Sequence, residues 1–197
     1  MVQSIKNHKY QLLMETSNSY CNFAYNQKED TIHKLYHDTQ YGFPIHSDNE
    51  LFGRLILEIN QAGLSWDIIL KKQENFRIAY SNFDIKSVAN YNQTDINRLL
   101  NNAGIIRNKL KINAAIHNAS VIMKIKQEMG SFQLWLDHHH QKTKDQWVKL
   151  FKKTFKFTGG EITGEFLMST GYLEGAHHKN CPIFREVLKN NPSWHSN

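Results

Sequence analysis

The stretch Glu58-Ile59-Asn60-Gln61-Ala62-Gly63-Leu64-Ser65-Trp66 (residues 58–66) lies between two segments with helical periodicity. Before it, Leu51 and Leu55 recur at the spacing that places side chains on one helix face. Gly63 is typical of a residue that ends a helix, and Ser65 is typical of one that caps the next. The stretch therefore predicts two helices joined by a short glycine-containing turn.

The rest of the chain has the same character, a succession of short helices. Asp48, Asp84 and Thr94 are predicted helix caps, and a long helix is predicted from about 107 to 128. The strict alternation that is typical of strands is scarce, and no convincing pair of strands is joined by a hairpin turn. These patterns predict an all-α fold.

Length and composition indicate a folded, basic protein. At 197 residues the chain predicts one domain, which we place at 19–185, with an N-terminal extension at 1–18 and a C-terminal tail at 186–197. The net charge of +6 and a pI of about 9.2 favour a polyanionic partner, either nucleic acid or an acidic membrane surface. No apolar run is long enough to span a bilayer, and the N-terminus lacks the apolar region of a secretory signal, so we expect a cytoplasmic protein.

Glu58 and Trp66 are unusual at the two ends of the predicted turn. Helical spacing directs the carboxylate of Glu58 towards the interior, where an acid is costly unless it is hydrogen-bonded, paired or protonated. It either anchors a neighbouring loop or serves a site. Trp66 is either a core residue or a ring on which a planar base stacks. An acid and an indole beside one short turn are suited to grip a base, since the acid can accept hydrogen bonds from an exocyclic amine.

A metal site is the second hypothesis. The only cysteines are Cys21 and Cys181, and His37 and His177 lie sixteen and four residues from them in the sequence. Two thiolates and two imidazoles form a common tetrahedral zinc set, although these spacings do not match a compact zinc finger. His33 and His178 are alternative ligands; two free thiols and unrelated histidines are the other interpretation.

The segment Phe155–Glu161 (FKFTGGE) is the third candidate. Gly159 and Gly160 directly precede a predicted helix, whose first backbone N–H groups are then open to an anion. This pattern is similar to a helix-hairpin-helix motif, which holds a DNA phosphate with main-chain amides, but a plain helix–helix turn has the same pattern. Residues 101–107 (NNAGIIR) form a second possible hairpin. No sequence motif of a serine hydrolase, phosphate loop or zinc protease is present.

Together these segments resemble the DNA-3-methyladenine glycosylase I family of the helix-hairpin-helix superfamily. The resemblance spans about Cys21 to Cys181. It rests on Tyr36-His37-Asp38 with Tyr41-Gly42, LEINQAGLSW with the KK and EN pairs after it, NNAGIIRNKLKI, FKFTGG and HHKNC. It implies an all-α helix-hairpin-helix glycosylase fold in which a structural zinc site joins the N- and C-terminal segments.

The resemblance also implies roles for individual residues. Glu58 becomes the catalytic carboxylate that contacts the base, and the zinc ligands are Cys21, His37, His177 and Cys181. The base-binding residues are Tyr36, Trp66, Tyr41 and Phe23. The DNA-binding residues are Leu64, as a wedge that fills the gap left by the flipped nucleotide, and Thr158, Gly159 and Gly160.

The function implied is base-excision repair: hydrolysis of the N-glycosidic bond of 3-methyladenine in double-stranded alkylated DNA. Glu174 is the only acid shortly after the hairpin helix and is not expected to replace Glu58, which implies a monofunctional enzyme without lyase activity. We expect a monomer that does not bind membranes. The alternatives are a non-catalytic module that binds damaged DNA on the same fold, and a metal-stabilised interaction protein. Phe23, Tyr41 and His33 replace the Trp, Trp and Tyr that are more usual in the family, which leaves room for an altered lesion preference.

Overall fold

The structure is a computed structural model that describes residues 19–195, and every regular element in that range is helical. The predicted extension at 1–18 lies outside the described residues, as do 196 and 197. The α-helices are α1 (Tyr20–Tyr25), α2 (Ile32–Thr39), α3 (Asp48–Gln61), α4 (Trp66–Ala79), α5 (Ile85–Ala89), α6 (Gln93–Leu100), α7 (Lys109–Met129), α8 (Phe132–His138), α9 (Lys144–Thr154), α10 (Gly160–Ser169) and α11 (Pro182–Lys189). Short 3₁₀ helices occupy Ser81–Phe83 and Ser193–His195. The all-α prediction is confirmed, and no helix of residues 19–195 has the length and apolar character needed to cross a bilayer.

The chain divides into two compact units. Of the described residues, the first, the terminal unit, contains 19–44 and 168–195; the second, the central unit, contains 45–167. The helix α11 runs through residue 186, where the C-terminal tail was predicted to begin. The domain boundaries 19–185 and 186–197 stay predictions.

The core of the central unit is built around α3. Every residue from Leu51 to Asn60 is buried, so this helix is surrounded by its neighbours rather than half exposed. Gly53 is required there because a Cβ would lie 2.3 Å from the ring of Phe83. The helix therefore passes through the middle of the unit and delivers its C-terminal end, the turn at 62–65, to the surface.

Two of the predicted caps are wrong by one or two positions. The cap of α3 is Ser47, whose hydroxyl accepts from the Glu50 N–H, and Asp48 is instead the first helical residue. The carboxylate of Asp48 is already engaged, because it accepts from the Lys126 ammonium at 2.7 Å and from the Gln133 N–H. Similarly α6 is capped by Asn92 and not by Thr94.

Asp84 caps α5 as predicted, since its side chain accepts from the Ser87 N–H at 2.7 Å. The long helix α7 begins at Lys109, two residues later than predicted. The side chain of Asn108 accepts from the N–H groups of Leu110 and Lys111 and so fixes the helix start.

Candidate functional site

Four buried side chains of the terminal unit form a cluster suited to a metal ion. They are Cys21 on α1, His37 on α2, His177 in the loop before α11, and Cys181 at the start of α11. One donor atom from each lies within 4.8 Å of the others. His177 belongs to this set, whereas His178 and His33 do not.

The separations within the cluster fit a tetrahedral ion. His177 Nδ1 lies 3.2 Å from His37 Nε2, and the thiol of Cys181 lies 3.7 Å from His37 Nε2. Zinc bond lengths at tetrahedral angles predict about 3.3 Å between two nitrogens and about 3.6 Å between nitrogen and sulfur. The cluster therefore has the donor set and the dimensions of a Cys2His2 metal site.

Hydrogen bonds on the outer side of each imidazole orient its inner nitrogen. His37 donates from Nδ1 to the Asp38 carboxylate at 2.6 Å, and His177 donates from Nε2 to the Tyr41 carbonyl at 2.7 Å. With these tautomers, the two inner nitrogens direct lone pairs at each other across 3.2 Å. That arrangement is repulsive unless a cation lies between them, which is the usual geometry around a metal-bound histidine.

The electrostatics of the cluster favour a thiolate at Cys21. A hydrogen bond with the Cys181 thiol, opposed by burial, lowers the pKa of Cys21 to about 7. Burial lowers the pKa of His37, but hydrogen bonds to Cys181 and Asp38 outweigh it and leave that pKa raised. Ile183 and Phe184 pack against the two cysteines and add an apolar shell.

The predicted base-binding aromatics of the terminal unit lie close to this cluster. The rings of Tyr36 and Tyr41 are 5.6 Å apart, and the ring of Tyr41 is 5.6 Å from His177. Tyr36 is buried, whereas Phe23 is 46% exposed and stacks on Tyr20. His37 of the cluster follows Tyr36 directly, so the helix that places His37 also places this tyrosine.

In the central unit, Glu58 and Trp66 flank the predicted turn. Glu58 is 3% exposed on the last turn but one of α3, as its helical spacing predicted. Trp66 is the first residue of α4 and is partly buried. Gly63, with φ of +81°, ends the preceding segment as predicted, and Leu64 at the tip of the turn is 37% exposed.

The FKFTGGE segment, which we call the hairpin, connects α9 to α10. Gly160 is the first residue of α10, and a Cβ added at Gly159 or Gly160 would meet no atom within 4 Å. The open face of these glycines leaves room for a ligand at the helix start. Thr158 is buried, and its hydroxyl donates to the Phe151 carbonyl, so its side chain holds the end of α9.

The turn and the hairpin, about a hundred residues apart in sequence, line one open cleft of about 640 Å³. Residues 61–65 form one wall, and residues 159–162 form the other. Exposed lysines lie on and after α9 on the hairpin side: Lys149, Lys152, Lys153 and Lys156. The cleft thus places an exposed leucine beside an open helix N-terminus, and its one charged lining residue is Glu161.

Sequence reasoning assigned no role to two buried polar residues of α7 that touch these segments. Lys111 is 5% exposed, and its ammonium donates to the carbonyls of Asn60 and Ala62 at 2.9 and 2.7 Å. Asn118 is fully buried and bonds both backbone groups of Lys156. The only available signal was a lysine at an otherwise inward-facing position of the helical pattern.

The second possible hairpin, 101–107, is a loop between α6 and α7. The side chain of Asn102 accepts from the Gly104 N–H, and the Lys72 ammonium donates to the Ala103 carbonyl. A Cβ at Gly104 would lie 3.1 Å from the side chain of Asn75. The loop packs on α4, and the motif residues Lys72 and Asn75 provide that packing; Arg107 is exposed.

Comparison with known proteins agrees with this geometry. Residues 26–150 match the family described as methyladenine glycosylase. A DNA-3-methyladenine glycosylase 1 of Escherichia coli is 35% identical over 172 residues, which cover 78% of this chain and 91% of the relative. A DNA-3-methyladenine glycosylase of Haemophilus influenzae is 31% identical, with 78% and 93% covered.

Solved structures show the same fold. A 3-methyladenine DNA glycosylase I from Staphylococcus aureus superimposes with a TM-score of 0.73 at 32% identity, over 81% of this chain and 94% of that one. A tyrosine-to-phenylalanine variant of 3-methyladenine DNA glycosylase I in complex with 3-methyladenine gives 0.74 at 32% identity, over 81% and 95%. The chain belongs to the methyladenine glycosylase family and is a DNA glycosylase, a hydrolase that acts on N-glycosyl bonds.

Proposed function

We propose that this chain is a base-excision-repair enzyme that hydrolyses the N-glycosidic bond of 3-methyladenine in double-stranded, alkylated DNA, without a lyase step. The observation that carries the proposal is the shared cleft of the 61–65 turn and the 159–162 hairpin, at the end of the helix that bears Glu58. A nucleotide must leave the duplex before its glycosidic bond can be cut. A protruding apolar residue beside a phosphate-binding helix start is suited to that task.

The chemistry of the lesion explains why a buried acid is useful. 3-Methyladenine carries a positive charge, so its glycosidic bond is already weak and the base needs little protonation to leave. Glu58 accepts hydrogen bonds from the base, and its negative charge favours a cationic lesion over neutral adenine. Trp66 adds stacking and cation–π attraction on the same basis. Water then attacks C1′ of the sugar, the base departs with the bonding electron pair, and an abasic site remains.

The aromatics of the terminal unit extend this proposal. Tyr36 hydrogen-bonds the base, and Tyr41 and Phe23 contribute ring surface to its binding. Their roles follow from the family motif, and the ring contact of Tyr36 with Tyr41 supports a common purpose.

Binding to the DNA backbone is assigned to the hairpin. The open N–H groups at the start of α10 bind a phosphate, and the missing side chains at Gly159 and Gly160 let the backbone approach it closely. Leu64 fills the space that the flipped nucleotide leaves. At Thr158 the main chain, and not the side chain, binds the DNA, because the hydroxyl already donates to a carbonyl inside the protein.

We further propose that the Cys2His2 cluster holds a structural zinc ion, bound by Cys21, His37, His177 and Cys181. Two thiolates with two oriented imidazoles are a donor set that zinc prefers, and all four positions are filled by protein. Such an ion stabilises the terminal unit and takes no part in the chemical step. We assign the protein to the cytoplasm as a monomer.

Release of bases from DNA treated with a methylating agent tests the proposal. Purified protein is incubated with the methylated duplex, and the released bases are identified by mass spectrometry. Free 3-methyladenine above the heat-only background, with strands left intact until alkali is added, is the expected result. Binding to an abasic duplex without any base release would favour the non-catalytic module instead.

A further inference from the structure

Lys111 is a buried cation whose hydrogen bonds all serve the end of one helix. It lies near the start of α7, and its ammonium donates to the carbonyls of Asn60 and Ala62. These are among the last carbonyls of α3, which have no partner within their own helix. A positive charge at a helix C-terminus also offsets the partial negative charge there. Lys111 thus holds the backbone that enters the exposed turn.

The turn needs such support because little else in it is fixed. Ala62 leaves helical geometry, with ψ of 115°, and Gly63 has φ of +81° with no atom near its Cβ position. One short backbone bond, from the Leu64 N–H to the Gln61 carbonyl, closes the turn. The exposed Leu64 is therefore positioned by its backbone, and that backbone is held by Lys111.

The same helix also holds the segment that leads into the opposite wall of the cleft. Asn118, on α7, donates to the Lys156 carbonyl at 3.0 Å and accepts from the Lys156 N–H at 2.8 Å. Residues seven apart lie on one face of a helix, so Lys111 and Asn118 bond the two segments from the same side of α7. The Lys111 ammonium also lies 6.0 Å from the centre of the Phe157 ring, next to the segment that Asn118 holds.

We propose that Lys111 is a positioning residue that fixes the 62–65 turn so that the turn can insert into DNA. The helix α7 sets the distance between this turn and the 159–162 hairpin. The inference rests on the proposed function, since it assigns a use to the turn in extruding the nucleotide. Lys111 does not touch the DNA. Its loss lets the turn move while the hairpin, held by Asn118, still binds phosphate.

The test uses a duplex with a tetrahydrofuran abasic analogue and 2-aminopurine beside it. Insertion of a side chain at the gap unstacks the 2-aminopurine and raises its fluorescence. At saturating protein, Lys111→Met should lose most of this rise. The affinity of the variant for the duplex should stay within about threefold of the wild-type affinity, because the phosphate contacts of the hairpin remain. Lys111→Arg, which keeps the charge and the donors, should restore the signal. Lys124→Met, an exposed lysine of the same helix, is the control for loss of charge and should match the wild type.

Release of 3-methyladenine should fall in parallel, by about a hundredfold at saturating protein, because a misplaced group of this kind costs roughly that much. A merely structural role would instead lower the melting temperature and leave the fluorescence of the folded, bound fraction unchanged. If Lys111→Met does not fold, Lys111→Leu replaces it, since leucine has neither the charge nor a donor and must also lose the signal.

A fluorescence rise of wild-type size with Lys111→Met or Lys111→Leu at saturation would overturn the inference. Failure of the proposed function is distinguished by the wild type itself. A wild-type protein that releases no base removes the proposed function, whereas an active wild type with an equally active Lys111→Met removes only the role of Lys111.

Discussion

The Nε2 atom of His177 lies 2.7 Å from the carbonyl oxygen of Tyr41, and this bond links the N-terminal and C-terminal segments of the terminal unit through a side chain of the Cys2His2 cluster. It is possible only because Gly42 follows Tyr41. A Cβ at Gly42 would lie 2.8 Å from the Cβ of Ala176 and 3.3 Å from the ring of His177. The Tyr41-Gly42 pair is thus a structural support for His177 of the Cys2His2 cluster.

Gly42→Ala should therefore impair metal binding as well as stability. The residue has φ of +82°, where a side chain is strained at roughly 1 kcal/mol, and the close contact with Ala176 adds to that cost. We expect less metal per chain after dialysis and a lower melting temperature. Gly159→Ala, where a Cβ meets open space, is the matched control for stability and should melt as the wild type does. Full metal content in Gly42→Ala would show that the segment can move without cost.

Asp38→Asn should weaken metal binding without removing a ligand. The carboxylate accepts from His37 Nδ1 at 2.6 Å and so keeps the other ring nitrogen free for the ion. Loss of such a partner typically costs about 10- to 100-fold in affinity. Competition with a chromophoric chelator measures it. Glu29→Gln removes an acid from the same region that is 91% exposed and should not change the affinity. Equal affinity in Asp38→Asn would remove the orienting role.

The sequence was sufficient to predict the helices and the inward direction of Glu58, because both depend on periodicity along one segment. The prediction of Asp48 as a cap was wrong, because its carboxylate is used by Lys126 and Gln133, which are distant in sequence. A cap is predicted from neighbouring residues in the sequence alone. Here residues that are distant in the sequence bind the Asp48 carboxylate, so it is not available to cap the helix.

The Cys2His2 cluster, too, could be predicted from the sequence only in part. Its residue types were recognisable, but their spacing left His33, His177 and His178 as alternatives. Of these three, only His177 lies in the cluster with Cys21, His37 and Cys181, which chain spacing could not show. The support that Lys111 gives to the turn was not predicted at all, since nothing in a lysine's neighbours along a helix shows which carbonyls it meets.

Gly160→Ala should weaken DNA binding and leave stability almost unchanged. A Cβ there meets no atom of the protein, so the folded state has room for it. In a complex the methyl group would lie where a phosphate approaches the helix start. We expect lower affinity for an abasic duplex at constant melting temperature, measured by fluorescence anisotropy. An unchanged affinity would place the phosphate elsewhere.

Glu161→Gln should act in the opposite direction at the same place. Its side chain is 92% exposed on the wall of the cleft, and its charge repels a phosphate. The variant should bind the duplex more tightly, most clearly at low salt, where charge repulsion is least screened. Weaker binding by Glu161→Gln at low salt would argue that the hairpin does not face DNA.

Glu58→Gln should lose most of the release of 3-methyladenine. The amide has nearly the same shape as the buried carboxylate, so the fold should persist, but it no longer attracts a cationic base and offers one acceptor instead of two. A hydrogen bond to a charged group contributes about 1.5–3 kcal/mol, which corresponds to a rate loss of about 10- to 150-fold. Single-turnover release from methylated DNA, with the abasic duplex affinity measured beside it, separates chemistry from binding. Glu74→Gln, an exposed acid of α4, is the control and should be as active as the wild type. Unchanged release by Glu58→Gln would show that the buried acid is a structural anchor of α3 and that the lesion's charge is recognised by other groups.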